Sequence, residues 1–552
     1  MIGVAADSSQ QDVVAEFFEL FKTPWEFHRD DGRYGVLICT RPQVPPNAAK
    51  LVLLYGAEAT EHDIKSGFSV KSRRSGGMLV YEGRRIPIYG DLATFSGSRS
   101  APVAEENTEE SAMFASGSDD KTVWRIGYNL FTEVRHLLQV GQPAANAGIA
   151  TLELHIALLR DLITKSGLPV VEIPPVPEGH NFIACLTHDI DHPALRNHCC
   201  DRTMAGFLYR ATVGTVADVC RGRKSFKELG VNWAAALKLP FIYLGMARDF
   251  WREFDRYVEM EAGLASTYFV IPTRNYAGRP LAGNGVSKRA VRYDVTDVKP
   301  QLQKVISSGC EIGLHGIDTW ADSAKGCEER SRVTQALGAT VTGVRMHWLF
   351  FDEKSPAALD GADFSYDSSV GYNETVGYRA GTAQVYRPLG AARLLELPLH
   401  IMDTALFFSS FLDLSNEDAW QVVEQFINDV GKFGGVLTVN WHDRSIAPER
   451  LWDGFYLKLL EELKSKEAWF ATAGEVVSWF RKRRSAAVEA TIVDQGKIRI
   501  TASTGLADKL PGLRVRIYKP GTWNGETKNS AQSSSTFVDL DLRETIDTEF
   551  SF

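Results

Sequence analysis

Acidic and histidine side chains are concentrated in the stretch THDIDH, residues 187–192, which directly follows the apolar run FIACL. Alternate residues of an extended chain point to the same side, so Asp189 and Asp191 can face one pocket. One carboxylate can then bind a divalent metal while the other accepts a proton from an attacking water. An Asx turn or a helix N-cap uses the same residue types, and this interpretation stays open for the stretch taken alone.

Three further apolar runs carry residues of the same chemical kind. His315 follows CEIGL, Arg345 and His347 lie within GVRMHWL, and His442 follows GVLTVNW. If these runs are parallel strands, their carboxyl ends meet on one face of the fold and bring the side chains together. An imidazole from His315 beside Asp191 suits zinc or another borderline metal. The sequence therefore predicts a metal-assisted hydrolytic site.

The motifs and their order resemble the polysaccharide deacetylases of the NodB-homology superfamily, carbohydrate esterase family 4, over residues 182–484. THDIDH is similar to the first motif of that family, EIGLHGIDTW to the second, GVRMHW to the third and VLTVNWHD to the last. The resemblance implies that Asp189 is the catalytic base and that Arg345 orients it through a charge-assisted hydrogen bond. It implies that His442 is the acid that protonates the leaving nitrogen.

The metal-binding residues depart from the family pattern at one position. The resemblance implies Asp191 and His315 as ligands, but the second histidine of that motif is replaced by Thr319. Because catalytic zinc usually has three protein ligands and a water, the Thr319 hydroxyl is predicted as the third ligand. Reserve ligands or substrate-binding residues are predicted at His347, His192 and Asp318. The implied cofactor is a divalent metal, zinc first, with Co²⁺ or Ni²⁺ as alternatives.

Two residues near the motifs are predicted to bind substrate. Trp441 precedes His442 and could stack on a sugar ring, although packing at a barrel rim explains it equally well. Arg379 lies between glycines in GYRAGT and could form a loop over the site, although a plain structural turn is an equal alternative.

The pattern of apolar runs indicates a chain of several domains. Residues 178–485 alternate strand-like and amphipathic helical runs, which predicts an α/β fold, and the resemblance implies a distorted barrel of seven or eight strand–helix units. Residues 1–170 predict an N-terminal α+β accessory domain, with helices over 123–141 and 145–167 and a flexible insertion over about 95–121. The last segment, 486–552, predicts a small all-β module.

The composition narrows the partners and the compartment. The 552 residues, 44% hydrophobic and 24% charged, are typical of globular proteins, and the net charge of −8 argues against a nucleic-acid partner. Seven cysteines without a C-x-x-C pair favour a reducing compartment. The N-terminus lacks a secretory pattern and no apolar run reaches the roughly 18 residues of a membrane span. A cytoplasmic location is expected, and homo-oligomerisation is left open.

Together these features predict a metal-dependent N-deacetylase that acts on an N-acetylated sugar or oligosaccharide in a glycan or glycan precursor. One alternative is a hydrolase of cyclic amides, because some members of the superfamily resemble allantoinases. The other is a catalytically inactive barrel that binds glycans, since the second histidine of the metal motif is missing.

Overall fold

The computed structural model describes residues 1–45, 49–96, 103–118, 121–281, 289–494, 496–505, 509–521 and 537–552. The chain divides into two compact units. Unit 1 consists of Met1–Gly179, Arg379–Thr382 and Trp479–Phe552, and unit 2 consists of His180–Tyr378 and Ala383–Ser478. The division into domains at 1–170, 178–485 and 486–552 stays a prediction.

Among the described residues of 1–179, nine strands form two sheets, a tenth strand pairs with the C-terminal part of unit 1, and four segments are α-helical. The strands are β1 (Ile2–Ala5), β2 (Trp25–Phe27), β3 (Val36–Cys39), β4 (Leu51–Tyr55), β5 (Ser69–Tyr81), β6 (Arg84–Ser96), β7 (Val103–Glu105), β8 (Met113–Ser118), β9 (Lys121–Ile126) and β10 (Val170–Glu172). The helices are α1 (Gln11–Phe21), α2 (Glu61–Lys65), α3 (Leu130–Gln139) and α4 (Thr151–Lys165). One sheet has the order β2-β1-β3-β4-β9-β8, and the other has the order β6-β5-β7.

Two sequence predictions for this part are wrong. The segment predicted as a flexible insertion, 95–121, contains strands β7 and β8. Strand β7 pairs with β5 and β8 pairs with β9, and the hydrogen bonds of such pairing are not evident from composition. Residues 97–102 and 119–120 of this segment lie outside the described residues. The helix predicted over 123–141 begins with strand β9, and helix α3 starts only after Asn129. The Asn129 side chain caps α3 by accepting the N–H groups of Phe131 and Thr132.

Unit 2 is built on a parallel sheet. Its strands are β11 (Ile183–Ile190), β12 (Ser266–Val270), β13 (Glu311–Gly316), β14 (Gly343–Met346), β15 (Tyr366–Asp367), β16 (Leu395–Glu396), β17 (Ile401–Met402), β18 (Val436–Asn440) and β19 (Trp469–Phe470). The order is β16-β15-β14-β13-β12-β11-β18-β17, with β19 also paired to β11, and every pairing is parallel. This confirms the predicted α/β class.

Helices accompany these strands. They are α5 (Arg202–Tyr209), α6 (Thr215–Cys220), α7 (Phe226–Tyr243), α8 (Tyr257–Met260), α9 (Lys299–Ser307), α10 (Ser323–Leu337), α11 (Ser355–Gly361), α12 (Asp403–Phe407), α13 (Asn416–Phe433), α14 (Asp453–Ser465) and α15 (Ala473–Ser485). Among the helices in the described part of the chain, none is long and apolar enough to cross a membrane. Because the strands are parallel, the residues that follow β11, β13, β14, β17 and β18 lie at one edge of the sheet.

The last part of unit 1 contains β20 (Ala487–Asp494), β21 (Lys497–Ser503), β22 (Leu513–Tyr518), β23 (Phe537–Leu542) and β24 (Thr545–Ser551). Strands β20, β21 and β24 form one antiparallel sheet, and β22 and β23 form another together with β10. The described part of 486–552 is therefore rich in strands, as its alternating pattern predicts, but one of its sheets takes a strand from the N-terminal part.

Candidate active site and metal centre

Asp189 is held as an ionised carboxylate near the end of β11. Its Oδ1 accepts a hydrogen bond of 3.0 Å from Arg345 Nη1, and its Oδ2 accepts one of 2.8 Å from Asn440 Nδ2. Burial opposes ionisation, but the positive charge of Arg345 outweighs burial and lowers the pKa of Asp189. A buried carboxylate that is ionised and fixed by two donors is suited to accept a proton from water.

Arg345 is itself fixed on several sides. Besides Asp189, its Nη1 donates to Thr187 Oγ1 at 2.7 Å, its Nε donates to the Ser368 carbonyl at 3.0 Å, and its Nη2 donates to Ser368 Oγ at 2.9 Å. The guanidinium also lies 4.5 Å from the centre of the Phe269 ring. With its donors occupied in this way, Arg345 holds the Asp189 carboxylate in one orientation.

Three buried ligand atoms converge next to Asp189. Asp191 Oδ1 lies 3.4 Å from His315 Nε2 and 3.3 Å from His347 Nδ1, and the two ring nitrogens are 3.1 Å apart. In the described part of the chain, these three residues form the group of side chains whose ligand atoms lie close enough together to hold a metal ion. Asp191 Oδ1 is buried and has no hydrogen-bond partner. An unpartnered carboxylate oxygen facing two imidazoles fits a divalent ion with mixed nitrogen and oxygen ligands.

The protonation of the triad agrees with metal binding. His315 Nδ1 lies 2.9 Å from the Arg345 carbonyl, which fixes the ring so that Nε2 faces Asp191. Burial lowers the pKa of His347, which favours the neutral imidazole that ligates metals. Burial opposes ionisation of Asp191, but His347 and His315 outweigh it and bring the Asp191 pKa well below its usual value.

His347 reaches the triad from a strained turn. It follows β14 directly, and the next two residues, Trp348 and Leu349, have left-handed φ angles of 64° and 53°. Residues other than glycine are disfavoured there by about 1–2 kcal/mol each, and such strain is found mostly at functional sites.

Thr319 does not supply the third member of the triad. It is fully buried, and its hydroxyl donates to Glu329 Oε2 at 2.8 Å. The same Glu329 carboxylate accepts the N–H groups of Ile317 and Asp318, so Thr319 and Glu329 stabilise the loop after β13. The triad takes its third residue from His347, which the sequence had placed only in reserve, and this corrects the expectation for Thr319.

Asp318 and His192, the other reserve residues, are engaged elsewhere. Asp318 accepts the Arg279 N–H at 2.7 Å and the Tyr276 hydroxyl. His192 Nδ1 lies 3.2 Å from His198 Nε2, and its backbone N–H donates to Asp443. Neither residue belongs to the group of three ligand atoms among the described residues.

His442 is held as an imidazolium by Asp403. Its Nδ1 and its backbone N–H each lie 2.6 Å from an Asp403 carboxylate oxygen, and the Ser445 hydroxyl also donates to Asp403. Its Nε2 lies 3.8 Å from Asp191 Oδ2. Burial opposes protonation, but Asp403, and then Asp191 and Asp189, raise the pKa of His442 to about 9. A protonated imidazole at neutral pH is a competent general acid.

Two residues that no sequence motif predicts, Asp403 and Asn440, also belong to the candidate site, where they contact His442 and Asp189. Both carried a usable signal. Asp403 directly follows strand β17, just as the predicted site residues follow their strands. Asn440 lies two residues before His442 in an extended stretch, where alternate side chains point to the same side.

Trp441 is a core residue. Its side chain is fully buried, and its ring lies 5.9 Å from that of Phe455 and 5.1 Å from that of Tyr456. The predicted role in stacking on a sugar is therefore wrong, because the indole is not accessible to a ligand. Arg379 lies in the segment of unit 1 formed by Arg379–Thr382, where its carbonyl accepts the Gln142 N–H at 2.8 Å. Its predicted contact with substrate stays a prediction.

Comparisons with known proteins give structural neighbours only. No protein-family model matches the chain. No curated protein matches it either. A solved chain named polysaccharide deacetylase from Mycobacterium smegmatis is 15% identical, with a TM-score of 0.33, covering 56% of this chain and 94% of its own. One of that name from Pseudomonas aeruginosa PAO1 is 15% identical, with a TM-score of 0.33 and coverages of 55% and 92%.

An allantoinase structure is also similar, at 15% identity, a TM-score of 0.32 and coverages of 55% and 92%. At such TM-scores the functional argument rests on the site geometry alone. A further neighbour is the CE4 domain of a multidomain xylanase, at 12% identity and a TM-score of 0.23, covering 54% of this chain and 90% of its own.

Proposed function

We propose that the chain is a metal-dependent carbohydrate N-deacetylase, which removes the acetyl group from an N-acetylated amino sugar of a glycan or glycan precursor. The observation that carries this proposal is the position of Asp189 and His442 beside the Asp191, His315 and His347 triad. In agreement with it, Arg345 lowers the pKa of Asp189 and Asp403 raises that of His442 to about 9. Asp189 Oδ2 lies 3.8 Å from His315 Nε2, and His442 Nε2 lies 3.8 Å from Asp191 Oδ2. Amide hydrolysis needs a base for water and an acid for the leaving nitrogen.

The residues of the site divide the reaction among them. When bound by the triad, a divalent ion supplies Lewis acidity toward the amide carbonyl and toward water. Asp189, fixed by Arg345 and Asn440, accepts the proton of the attacking water. His442 Nε2 donates a proton to the nitrogen as the C–N bond breaks. Water thus supplies the oxygen of acetate, and the sugar leaves as a free amine.

Acetate release tests the proposal. The purified protein, loaded with zinc, is expected to release acetate from N-acetylglucosamine oligosaccharides. Acetate release should stop after treatment with a chelator and resume when zinc is restored. A cyclic ureide such as allantoin serves as the comparison substrate. Hydrolysis of the ureide without acetate release would favour the cyclic-amide alternative, and a protein that neither binds metal nor hydrolyses either substrate would be an inactive barrel.

The pairing of His442 with Asp403 predicts a change in pH dependence. Because Asp403 raises the pKa of His442 to about 9, activity should fall as the pH rises through that value and the acid loses its proton. In Asp403→Asn the amide keeps the hydrogen bond but not the charge, so the alkaline limb of kcat/KM should move down by about two pH units. Ser445→Ala, which keeps the Asp403 carboxylate, is the matched control. An alkaline limb that stays in place in Asp403→Asn would contradict the assignment of His442 as the acid.

A further inference from the structure

A helical insert of unit 2 spans residues 202–246 and follows the loop after β11. It contains α5, α6 and α7, with a π-helical turn at Arg210–Gly214 between the first two helices. One side of the insert belongs to a hydrophobic cluster that includes Phe207, Ala211, Leu239 and Ile242. The opposite side is also apolar, although it faces solvent.

Helix α7 shows this double character most clearly. Its buried side presents Ala235, Leu239 and Ile242. Large apolar side chains recur on its other side and at the following C-cap at intervals of seven, four, four and three residues, which is one stripe of a helix. They are Phe226, Trp233, Leu237, Phe241 and Leu244, exposed by 81%, 49%, 75%, 49% and 72%.

The exposed apolar surface continues beyond α7. Tyr209, Val213, Val216 and Met246 are exposed by 61%, 62%, 41% and 72%. Val213 and Val216 also line a shallow, almost wholly apolar groove together with Trp233 and Leu237. Scattered exposed apolar residues are ordinary, but a contiguous patch of this kind marks an interaction surface.

The positive charge of the insert favours an anionic partner. Residues 202–246 contain seven Lys or Arg and two Asp or Glu, whereas the whole chain has a net charge of −8. Five of the cations are exposed, and one of them, Arg223, is paired with Asp413. The other four are Arg202, Arg221, Lys227 and Lys238. Exposed aliphatic and aromatic side chains among cations are typical of helices that lie in the interface of an anionic membrane.

We propose that the helical insert docks on an anionic lipid surface, with the stripe of α7 in the acyl boundary and the cations on the headgroups. A second copy of this chain is a poorer occupant, because two like-charged inserts would face each other. The insert would lie on the lipid surface and would not cross the bilayer, because Leu239 and Ile242 hold the other side of α7 in a buried cluster of unit 2.

The insert is attached to the two loops that carry the candidate site. The carboxylate of Asp249, just after the insert, accepts the N–H groups of Leu195 and Arg196 in the loop after β11. Within the insert, Lys224 Nζ donates to the Glu449 carbonyl in the loop after β18. Docking would therefore hold the site-bearing edge of the sheet at the lipid surface. The inference rests on the surface and charge of the insert and does not depend on the proposed reaction.

Vesicle sedimentation of the full-length protein tests the proposal. We expect the protein to bind vesicles of phosphatidylcholine mixed with phosphatidylglycerol. Binding should be weaker when salt is added and when the vesicles contain phosphatidylcholine alone. The triple variant Leu237→Ser, Phe241→Ser, Leu244→Ser should bind at least about a hundredfold more weakly, because each side chain contributes roughly tenfold. The variant Arg221→Glu, Lys227→Glu, Lys238→Glu should lose the preference for the anionic vesicles.

The matched control changes three exposed apolar residues outside the insert. Ile64, Val140 and Leu457 are exposed by 79%, 59% and 42%, and replacing them by serine should leave vesicle binding unchanged. Thermal denaturation checks that each variant is folded. Equal binding by the wild type and the α7 variant, or no binding to either vesicle, would overturn the proposal. A third result would also overturn the proposal: light scattering shows a wild-type dimer, the α7 variant is monomeric, and neither protein binds vesicles. The apolar stripe would then be covered by a second copy of the chain.

Discussion

Replacing Asp189 by asparagine is expected to lower kcat for acetate release about a thousandfold while the bound metal stays in place. The amide preserves the size of the side chain but cannot take the proton of water, and general-base catalysis commonly contributes a factor of this order. Asp191, His315 and His347, which form the triad, are unchanged in this variant. Acetate release and metal content, measured on the same preparation, separate loss of the base from loss of the metal.

Asp318→Asn is the matched control for this variant. Asp318 is also a buried carboxylate after a strand of the same sheet, but it accepts hydrogen bonds from Tyr276 and Arg279 and stands outside the triad. We expect this variant to keep its activity within a few-fold. If Asp189→Asn retained a tenth or more of the wild-type kcat with a full complement of metal, Asp189 would not be the base.

The second large effect is expected for His347→Ala, which should lose most of its bound metal and with it the acetate release. Removing one of three protein ligands leaves only Asp191 and His315, and two ligands do not hold a catalytic zinc against dialysis. Metal content after dialysis, measured by plasma mass spectrometry, is the readout. Circular dichroism establishes that the variant is folded.

Thr319→Val provides the comparison that distinguishes the two ligand sets. The variant removes the hydroxyl that donates to Glu329, so the free energy of unfolding should fall by about 1–3 kcal/mol while the metal content stays at the wild-type level. Metal lost from Thr319→Val and retained in His347→Ala would restore the ligand set predicted from the sequence, which is Asp191, His315 and Thr319.

Residues that directly follow long apolar runs could be predicted from the sequence. Asp189, Asp191 and His315 each stand at the end of such a run, and a parallel sheet brings the ends of its strands to one edge. The class of fold followed from the same alternation of strand and helix. The strand-end residues and the fold class could be predicted because each depends on a local pattern of a few residues.

The choice between Thr319 and His347 could not be predicted, because it depends on contacts between loops. The Thr319 hydroxyl donates to Glu329, which lies ten residues later in α10. His347, in the loop after β14, lies 3.3 Å from Asp191 Oδ1. The burial of Trp441 depends in the same way on its packing against α14. The sequence predicts helix over strand β9 because one of the two strands that pair with it, β4, lies about 70 residues earlier in the chain.

The position of β18 in the sheet has a consequence for the order of folding. Its contact with β11 joins residues about 250 positions apart, including the hydrogen bond from Asn440 to Asp189. Contacts of such sequence separation require closure of a long loop and form late. A nascent chain that ends before β18 contains Asp189, Arg345 and the triad but lacks Asn440, the second donor to Asp189, and His442. Under the proposed mechanism, base and acid would come together only when unit 2 is nearly whole, and chains released earlier are expected to be inactive.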